Sequence, residues 1–449
     1  MELYKKKVLV FGTGISGIGA CKLLHTVGAS ITLYDENTSK SVEMLQEQLV
    51  GHTVEIVLGQ LEESRFGEFE LIVLSPGVPT DLPMIEKFRV LGIPIWGEIE
   101  LAYVVGKGEV LAITGTNGKT TTTALLGEIM KVHNPETYVV GNIGNPYADI
   151  ALKTTDNSVI VAELSSFQLE TIQQFKPVVS AILNLTPDHL NRHHTMEAYI
   201  EAKKRIAKNQ GMKQVCVLNY EDDVTREFGK ETKSGVLYFS SRHKLDKGIY
   251  LDKDNIIYRD TEEVVLCNVK ELKLLGIHNY ENVMAAAAMA IVYGVTVEVV
   301  RQVICSFAGV EHRIEFVCEK QGVMYYNDSK GTNPDAAIKG IQAMNRPTVL
   351  IGGGYDKDSE YTEWIQSFEG KVKYLVLTGQ TREKIAETAR RNGFENIILE
   401  DDFDEAVKKS IELATSGDAV LLSPACASWG AFDNYEQRGD KFKEIVKSL

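Results

Sequence analysis

Lys119 and Thr120 close a glycine turn, Gly115-Thr116-Asn117-Gly118, which follows the strand-like run Ala112-Ile113-Thr114 and opens a run of threonines. Residues in that order suit a nucleoside triphosphate. The N–H groups of such a turn converge on phosphate oxygens, and the N-terminus of the following helix adds partial positive charge. Lys119 can reach the terminal phosphates, and the Thr120 hydroxyl, with Thr121 beside it, suits Mg²⁺. The turn is a shortened variant, because Ile113 stands where the full phosphate-loop pattern has a glycine. The plainer alternative is an ordinary strand-to-helix turn with a lysine in its first helical turn.

Further residues could serve the same chemistry. Val159-Ile160-Val161-Ala162 runs into Glu163, and an acid at the end of a buried strand beside a phosphate turn can hold Mg²⁺; a solvated loop carboxylate is the alternative. His189 ends the Thr186-Pro187-Asp188 turn and is placed at the active site. His193 and His194 lack the neighbouring Glu or Cys pair of a zinc site and read as a surface turn. On a helix expected over residues 196–210, Lys203 lies inside the apolar stripe of Tyr199, Ala202 and Ile206. An inward lysine loses its proton readily, and a neutral amine can add CO₂ to become a carbamate able to ligate Mg²⁺. From spacing alone, a snorkelling lysine with its stem apolar and its head in water is the favoured reading.

A second glycine turn, Gly12-Thr13-Gly14-Ile15-Ser16-Gly17, fits the dinucleotide fingerprint, and Asp35 ends the next strand. Taken alone it suggests NAD, but a uridine diphosphate presents the same pyrophosphate. A tight turn where only glycine fits remains open.

The elements that must hold these residues alternate strand and helix. Residues 1–97 carry strands at Val8–Phe11, Ser30–Tyr34 and Leu71–Leu74, the last running into Ser75-Pro76-Gly77, and form a Rossmann-like unit. Residues 98–309 carry the phosphate turn, strands at Val159–Ala162 and Val179–Leu183, and a helix over 279–293. Residues 310–449 form a third unit with strands at Thr348–Ile351, Tyr374–Leu377 and Ala419–Leu422. The fold class is α/β in three domains: Rossmann-like, a central P-loop-type ATP-binding unit, and a second Rossmann-like unit. At 449 residues the chain is too long for one core. Its 48 basic and 62 acidic residues give a formal charge of −14, which argues against nucleic acid and anionic membranes as partners. Six scattered cysteines without a Cys-x-x-Cys pair, and no signal peptide or spanning segment, predict a cytoplasmic protein with reduced thiols.

Taken together, the motifs resemble one family. The turn at 115–120, Glu163-Leu164-Ser165-Ser166-Phe167-Gln168, Asn184 to His189, His278-Asn279-x-x-Asn282 and Glu311-His312-Arg313 occur in the order found in the Mur ligases. Asn327 to Asn333, Ser423 to Ser428 and Glu436-x-Arg438-Gly439 resemble the D-glutamate-adding type. The resemblance implies a three-domain enzyme of peptidoglycan precursor synthesis that joins D-glutamate to UDP-N-acetylmuramoyl-L-alanine through an acyl phosphate, using ATP and Mg²⁺. Lys119, Glu163, His189 and Lys203 would be catalytic. Thr120, Glu163, His189 and carbamylated Lys203 would form the metal site. Gly115 to Thr121, Asn279, Asn282, Arg313 and Asp328 would hold ATP. Gly14, Ser16, Asp35, Ser75, Pro76, Gly77 and Asn142 would hold the UDP-sugar, and Thr332, Lys357, Ser423 and Phe432 the D-glutamate. A monomer is expected. Gly430 departs from the family, which usually has an Asp there. The rivals are a folylpolyglutamate synthase-like ligase, expected to lack the N-terminal unit, an NAD-dependent oxidoreductase, and a non-catalytic nucleotide switch.

Overall fold

Short runs of branched residues between amphipathic helices build three sheets. A computed structural model describes residues 3–449, apart from the side chain of Asn191. It divides into two compact units, residues 3–266 with 282–303, and residues 267–281 with 304–449.

The first unit holds two of the sheets. One is parallel, in the order Glu55–Leu58, Ser30–Asp35, Lys7–Phe11, Leu71–Leu74, Ile95–Gly97. This is the order of a mononucleotide-binding half with its first strand central, and the glycine turn at 12–17 follows that strand. In the other sheet Glu109–Thr114 lies between Val179–Ile182 and Val159–Glu163, with Thr137–Gly141 beyond the latter. From Val179–Ile182 it extends through Val215–Asn219, Gly235–Ser240, Gly248–Asp252 and Asn255–Arg259 to Glu263–Asn268. The central strands are buried apart from Glu109 at the start of one, as parallel strands covered on both faces must be. The phosphate turn therefore leaves the C-terminal end of a strand flanked by those that deliver Glu163 and the 184–189 segment, where open α/β sheets bind ligands.

One apolar core runs through both sheets. It includes Val8, Ile18, Leu33 and Val73, continues through Ile99, Leu101, Tyr147 and Ile150, and reaches Ala112, Ala162 and Ile182. Gly19 makes the junction close, since a Cβ there would lie 2.9 Å from an Asp149 carboxylate oxygen.

The second unit has a six-stranded sheet in the order Glu315–Lys320, Val323–Asn327, Ala419–Leu422, Thr348–Gly352, Val372–Leu377, Ile397–Leu399. Only the first pair is antiparallel. Apolar layers on its two faces are centred on Trp364 and Phe442.

The strands and helices expected from sequence are present, with one shortened. The helix at 196 ends at Lys204 and tightens into a 3₁₀ turn at Arg205–Ala207. The Arg205 guanidinium donates to the carbonyls of Leu169 (2.8 Å) and Ile172 (2.9 Å), ligands a continuing surface helix would not need.

Candidate active site

The phosphate turn is built around backbone geometry. Gly118 is the residue before the helix Lys119–His133 and has φ +84°, and a Cβ there would collide with Asn282 Oδ1. Only glycine satisfies both demands. Asn184 clamps the turn from the neighbouring strand end: its carbonyl accepts Thr116 N–H (2.9 Å), its Oδ1 accepts Asn117 N–H (2.8 Å), and its Nδ2 donates to Asn117 O (3.1 Å). Thr116 Oγ1 donates to Thr186 O (3.0 Å) and lies 3.0 Å from the Tyr199 hydroxyl.

Two lysines converge on this turn. Lys119 Nζ donates to the carbonyls of Gly115 and Thr116 (2.9 Å each), and Lys203 Nζ donates to Gly115 O (2.7 Å) and Thr114 Oγ1 (3.3 Å). Lys203 is 2% exposed, so the inward reading of its stripe position is the observed one. Burial, with the Lys119 charge second, pushes its ammonium down to about 7, against opposition from Asp188 and Glu163. A good fraction of this amine is therefore neutral near physiological pH.

Glu163 is 1% exposed at the end of its strand. Its Oε1 accepts from Asn142 Nδ2 (3.0 Å), while its backbone carbonyl accepts Asn142 N–H (2.9 Å). Its Oε2 is buried without a hydrogen-bond partner. An orphaned carboxylate oxygen is costly, and a cation is the partner that relieves it. On that ground Glu163 could offer this oxygen to Mg²⁺, and the Thr120 hydroxyl in the first helical turn, the His189 imidazole and a carbamate on Lys203 are the further groups that could hold it. His189 is half exposed, with φ +52° before the short helix Leu190–His193; its N–H donates to Asp188 Oδ1 (2.8 Å) and its ring packs on Phe167 at 5.0 Å. Thr121 is buried behind the turn.

The first glycine turn is held differently. Asp35 Oδ2 accepts from Thr13 N (2.9 Å) and Oγ1 (2.7 Å), and Oδ1 accepts from Asn37 N (3.0 Å). Burial opposes ionisation here, but these bonds and the Lys40 charge hold the carboxyl below its usual range. Gly14 precedes the helix Ile15–Thr26 and Ser16 lies in its first turn. Ser75 Oγ donates to Gly12 O (3.2 Å), so Ser75, Pro76 and Gly77 sit beside the glycine turn.

In the second unit Ser423 is fully buried and donates to Asp328 Oδ2 (2.7 Å), while Asp328 Oδ1 accepts Ile314 N–H (3.2 Å). Burial pushes the Asp328 carboxyl up to about 7. Thr332 is half buried on the same loop, Arg313 is exposed, and Asn279 donates from Nδ2 to Leu275 O (2.8 Å). Lys357 is exposed with its ammonium over the Trp429 ring at 4.6 Å, and Phe432 packs edge-on against Phe403 at 5.1 Å. Gly430 has φ +90°, a conformation an Asp would adopt only with strain, which gives its departure from the family pattern a backbone reason. Asn282 belongs to the first unit, with Thr122 Oγ1 3.4 Å from its Oδ1.

Sequence reasoning gave no role to Asn184 or Tyr199 in shaping the turn. A polar residue just past a strand end, and a tyrosine in an otherwise apolar stripe, were the signals present.

Three models of known protein families match successive stretches of the chain. Residues 6–97 match the MurD-like N-terminal domain of Mur ligases, 113–290 the Mur ligase middle domain, and 312–426 the Mur ligase glutamate ligase domain. A protein of Lachnospira eligens named UDP-N-acetylmuramoylalanine--D-glutamate ligase is 54% identical over 450 residues, covering 100% of both chains. One of the same name from Lachnoclostridium phytofermentans is 55% identical over 451 residues, covering 100% of this chain and 99% of its own. Among solved structures, a MurF ligase from Thermotoga maritima in complex with ADP aligns over 100% of this chain and 96% of its own, with TM-score 0.57 and 18% identity, a likeness of fold.

Proposed function

As the chain belongs to the Mur ligase family, we propose that it is the ligase that joins D-glutamate to UDP-N-acetylmuramoyl-L-alanine, with ATP cleaved to ADP and phosphate. The observation that carries the chemistry is the orphaned Glu163 Oε2 beside a glycine turn on which Lys119 and Lys203 converge. Residues 1–97 bind the UDP-sugar, 98–309 ATP and 310–449 the amino acid. No helix among the described residues is long and apolar enough to cross a membrane. The substrates are cytoplasmic metabolites, so the enzyme works in the cytoplasm, and a monomer carries every residue named.

The substrate carboxylate is a poor electrophile, so it is activated first. Its oxygen attacks the γ-phosphorus of ATP, the bond to the β–γ bridging oxygen breaks, and ADP leaves with that electron pair. Lys119 moves from its own turn carbonyls to the phosphates and offsets the charge developing on the leaving oxygen. The amides at the start of the helix Lys119–His133 face the same phosphates. The free amine of D-glutamate then attacks the acyl carbon, and phosphate departs from the tetrahedral adduct with the C–O electron pair while the nitrogen gives up one proton to the departing phosphate. Bound Mg²⁺ supplies further charge neutralisation at the phosphates. Lys203 takes up CO₂ as its neutral amine, releasing one proton and placing a carboxylate where its ammonium stood. Asn142 holds Glu163 so that one oxygen stays available, and His189 orients the reacting end of the substrate. In the second unit, Thr332 binds a carboxylate of the amino acid, with Lys357 and Phe432 closing on its side chain. Buried Ser423, expected from the resemblance to touch the amino acid, instead gives its hydroxyl hydrogen to Asp328.

Phosphate release from ATP, in the presence of UDP-N-acetylmuramoyl-L-alanine and one amino acid at a time, tests this reading. Release with D-glutamate alone is the expected outcome. NAD reduction without ATP use would replace the ligase with an oxidoreductase.

A further inference from the structure

Glu170 follows the short helix Ser166–Leu169 and takes no part in the chemistry above. Its carboxylate joins two loops that follow different sheets. Oε2 accepts from Thr80 Oγ1 (3.0 Å), just past Ser75-Pro76-Gly77, and from Arg192 Nη2 (2.9 Å), three residues past His189; Oε1 lies 3.3 Å from His193 Nδ1. Arg192 Nη2 donates also to Val78 O (2.9 Å). The Glu170 and Arg192 side chains are 15% and 13% exposed, and both line a cavity of about 450 Å³.

This pair leads to His189. The Arg192 guanidinium lies over the Phe167 ring at 5.0 Å, His193 stacks on that ring at 5.5 Å and 28°, and His189 packs on it at 5.0 Å. Ser166 Oγ lies 2.8 Å from His193 Nε2 and fixes that ring from the other side. A continuous path therefore runs from Thr80 and Val78 on the sugar side, through Glu170 and Arg192, to Phe167 and His189 on the phosphate side.

We propose that Glu170 is a positioning residue that sets the UDP-sugar loop at 75–80 in register with the His189 turn, so that the sugar's carboxylate meets the γ-phosphoryl group. The inference rests on the ligase reading above. The reason to locate registration here is geometric: Thr80, Val78 and Arg192 all follow strand C-terminal ends, on the ligand side of the sheets, and not within the shared core. Misplacement of a reacting group by about 1 Å can cost about 100-fold in rate.

The test measures kcat, KM for each substrate, binding of a non-hydrolysable ATP analogue and melting temperature, in wild type, Glu170→Gln, Glu170→Asp, Thr80→Val and the Glu170→Gln/Thr80→Val double variant. Wild-type activity with D-glutamate is scored first, since its absence defeats the ligase reading and not this one. The expected result is a fall of roughly 10- to 100-fold in kcat for Glu170→Gln, with KM for the UDP-sugar raised and analogue binding and melting temperature held. Thr80→Val should lose less, Glu170→Asp should recover part of the rate, and the double variant should be no worse than Glu170→Gln, because both changes break one path. Wild-type kinetics in Glu170→Gln would overturn the proposal. So would a rate loss that tracks lost analogue binding and melting temperature, or fully additive losses in the double variant.

Discussion

The two glycine turns of the first unit follow equivalent strand ends, yet different side chains hold them: an acid on an amide and a hydroxyl with one lysine on a carbonyl at the first, and two lysines on carbonyls at the second. At Gly12–Gly17 an acid does the work: Asp35 takes the Thr13 amide and hydroxyl, and Lys40 Nζ donates to Thr13 O at 2.7 Å. At Gly115–Gly118 the side chains on the turn carbonyls are two lysines. An acid on a turn consumes an N–H that a phosphate could use and leaves the helix N-terminus as the main anion site. Two lysines on the carbonyls bring mobile positive charge to the turn proposed to hold a triphosphate. The first turn is thus suited to holding a diphosphate that does not react, and the second to a triphosphate that does.

The sharpest way to break the contrast is Lys119→Ala. We expect phosphate release to fall by about 10³-fold or more, with melting temperature little changed, because the loss is of charge at a developing oxyanion and not of core. Activity near wild type would make the second turn as passive as the first. Lys203→Ala should cost somewhat less, on the order of 10²-fold, and formate or acetate should restore part of the rate by standing in for the carbamate. Asp35→Asn probes the acid turn. Its bonds to Thr13 are charge-assisted, each contributing about 1.5–3 kcal/mol, so KM for the UDP-sugar should rise about tenfold with kcat nearly unchanged. A kcat effect as large as that of Lys119→Ala would erase the distinction between holding and breaking.

What the sequence made legible follows from how local each feature is. Gly118-Lys119-Thr120 depends on a strand, a turn and a helix adjacent in the chain, and Lys203 on a stripe within one helix; the strand–turn–helix is observed, and Lys203 is buried where spacing alone favoured a snorkelling side chain. The Asn184 clamp, the Glu170 junction and the Asp328–Ser423 pair join residues 22 to 95 positions apart, and no periodicity encodes such meetings. Asp35 was legible as an acid at a strand end, but not as one already engaged by Thr13 and Asn37. The three sheets were legible from alternation of strand and helix. That the first two share a core was not, because Gly19 and Tyr147 carry no mark in sequence of the partner they approach.

The last expected effect is on stability and not on rate, and concerns that joint between the turns. Glu98 begins the helix Glu98–Val105, is 3% exposed, and its Oε1 accepts the Ala148 N–H (2.6 Å). Burial, with the Asp149 charge adding to it, pushes its carboxyl up to about 7 against the pull of the Ala148 and Tyr147 amides. Between about 4.5 and 7 the folded protein then binds more protons than the unfolded chain, so stability from this group is full below that window and is lost as pH rises through it. The whole loss is on the order of 3 kcal/mol, at about 1.4 kcal/mol per pKa unit. Glu98→Gln keeps an acceptor for Ala148 and removes the titration, so urea midpoints measured at about pH 5 and about pH 8 should lie closer together in the variant than in wild type. Equal separation in both proteins would show that Glu98 ionises as freely when folded as when unfolded, and that the helix joining the two turns is wetter than its burial implies.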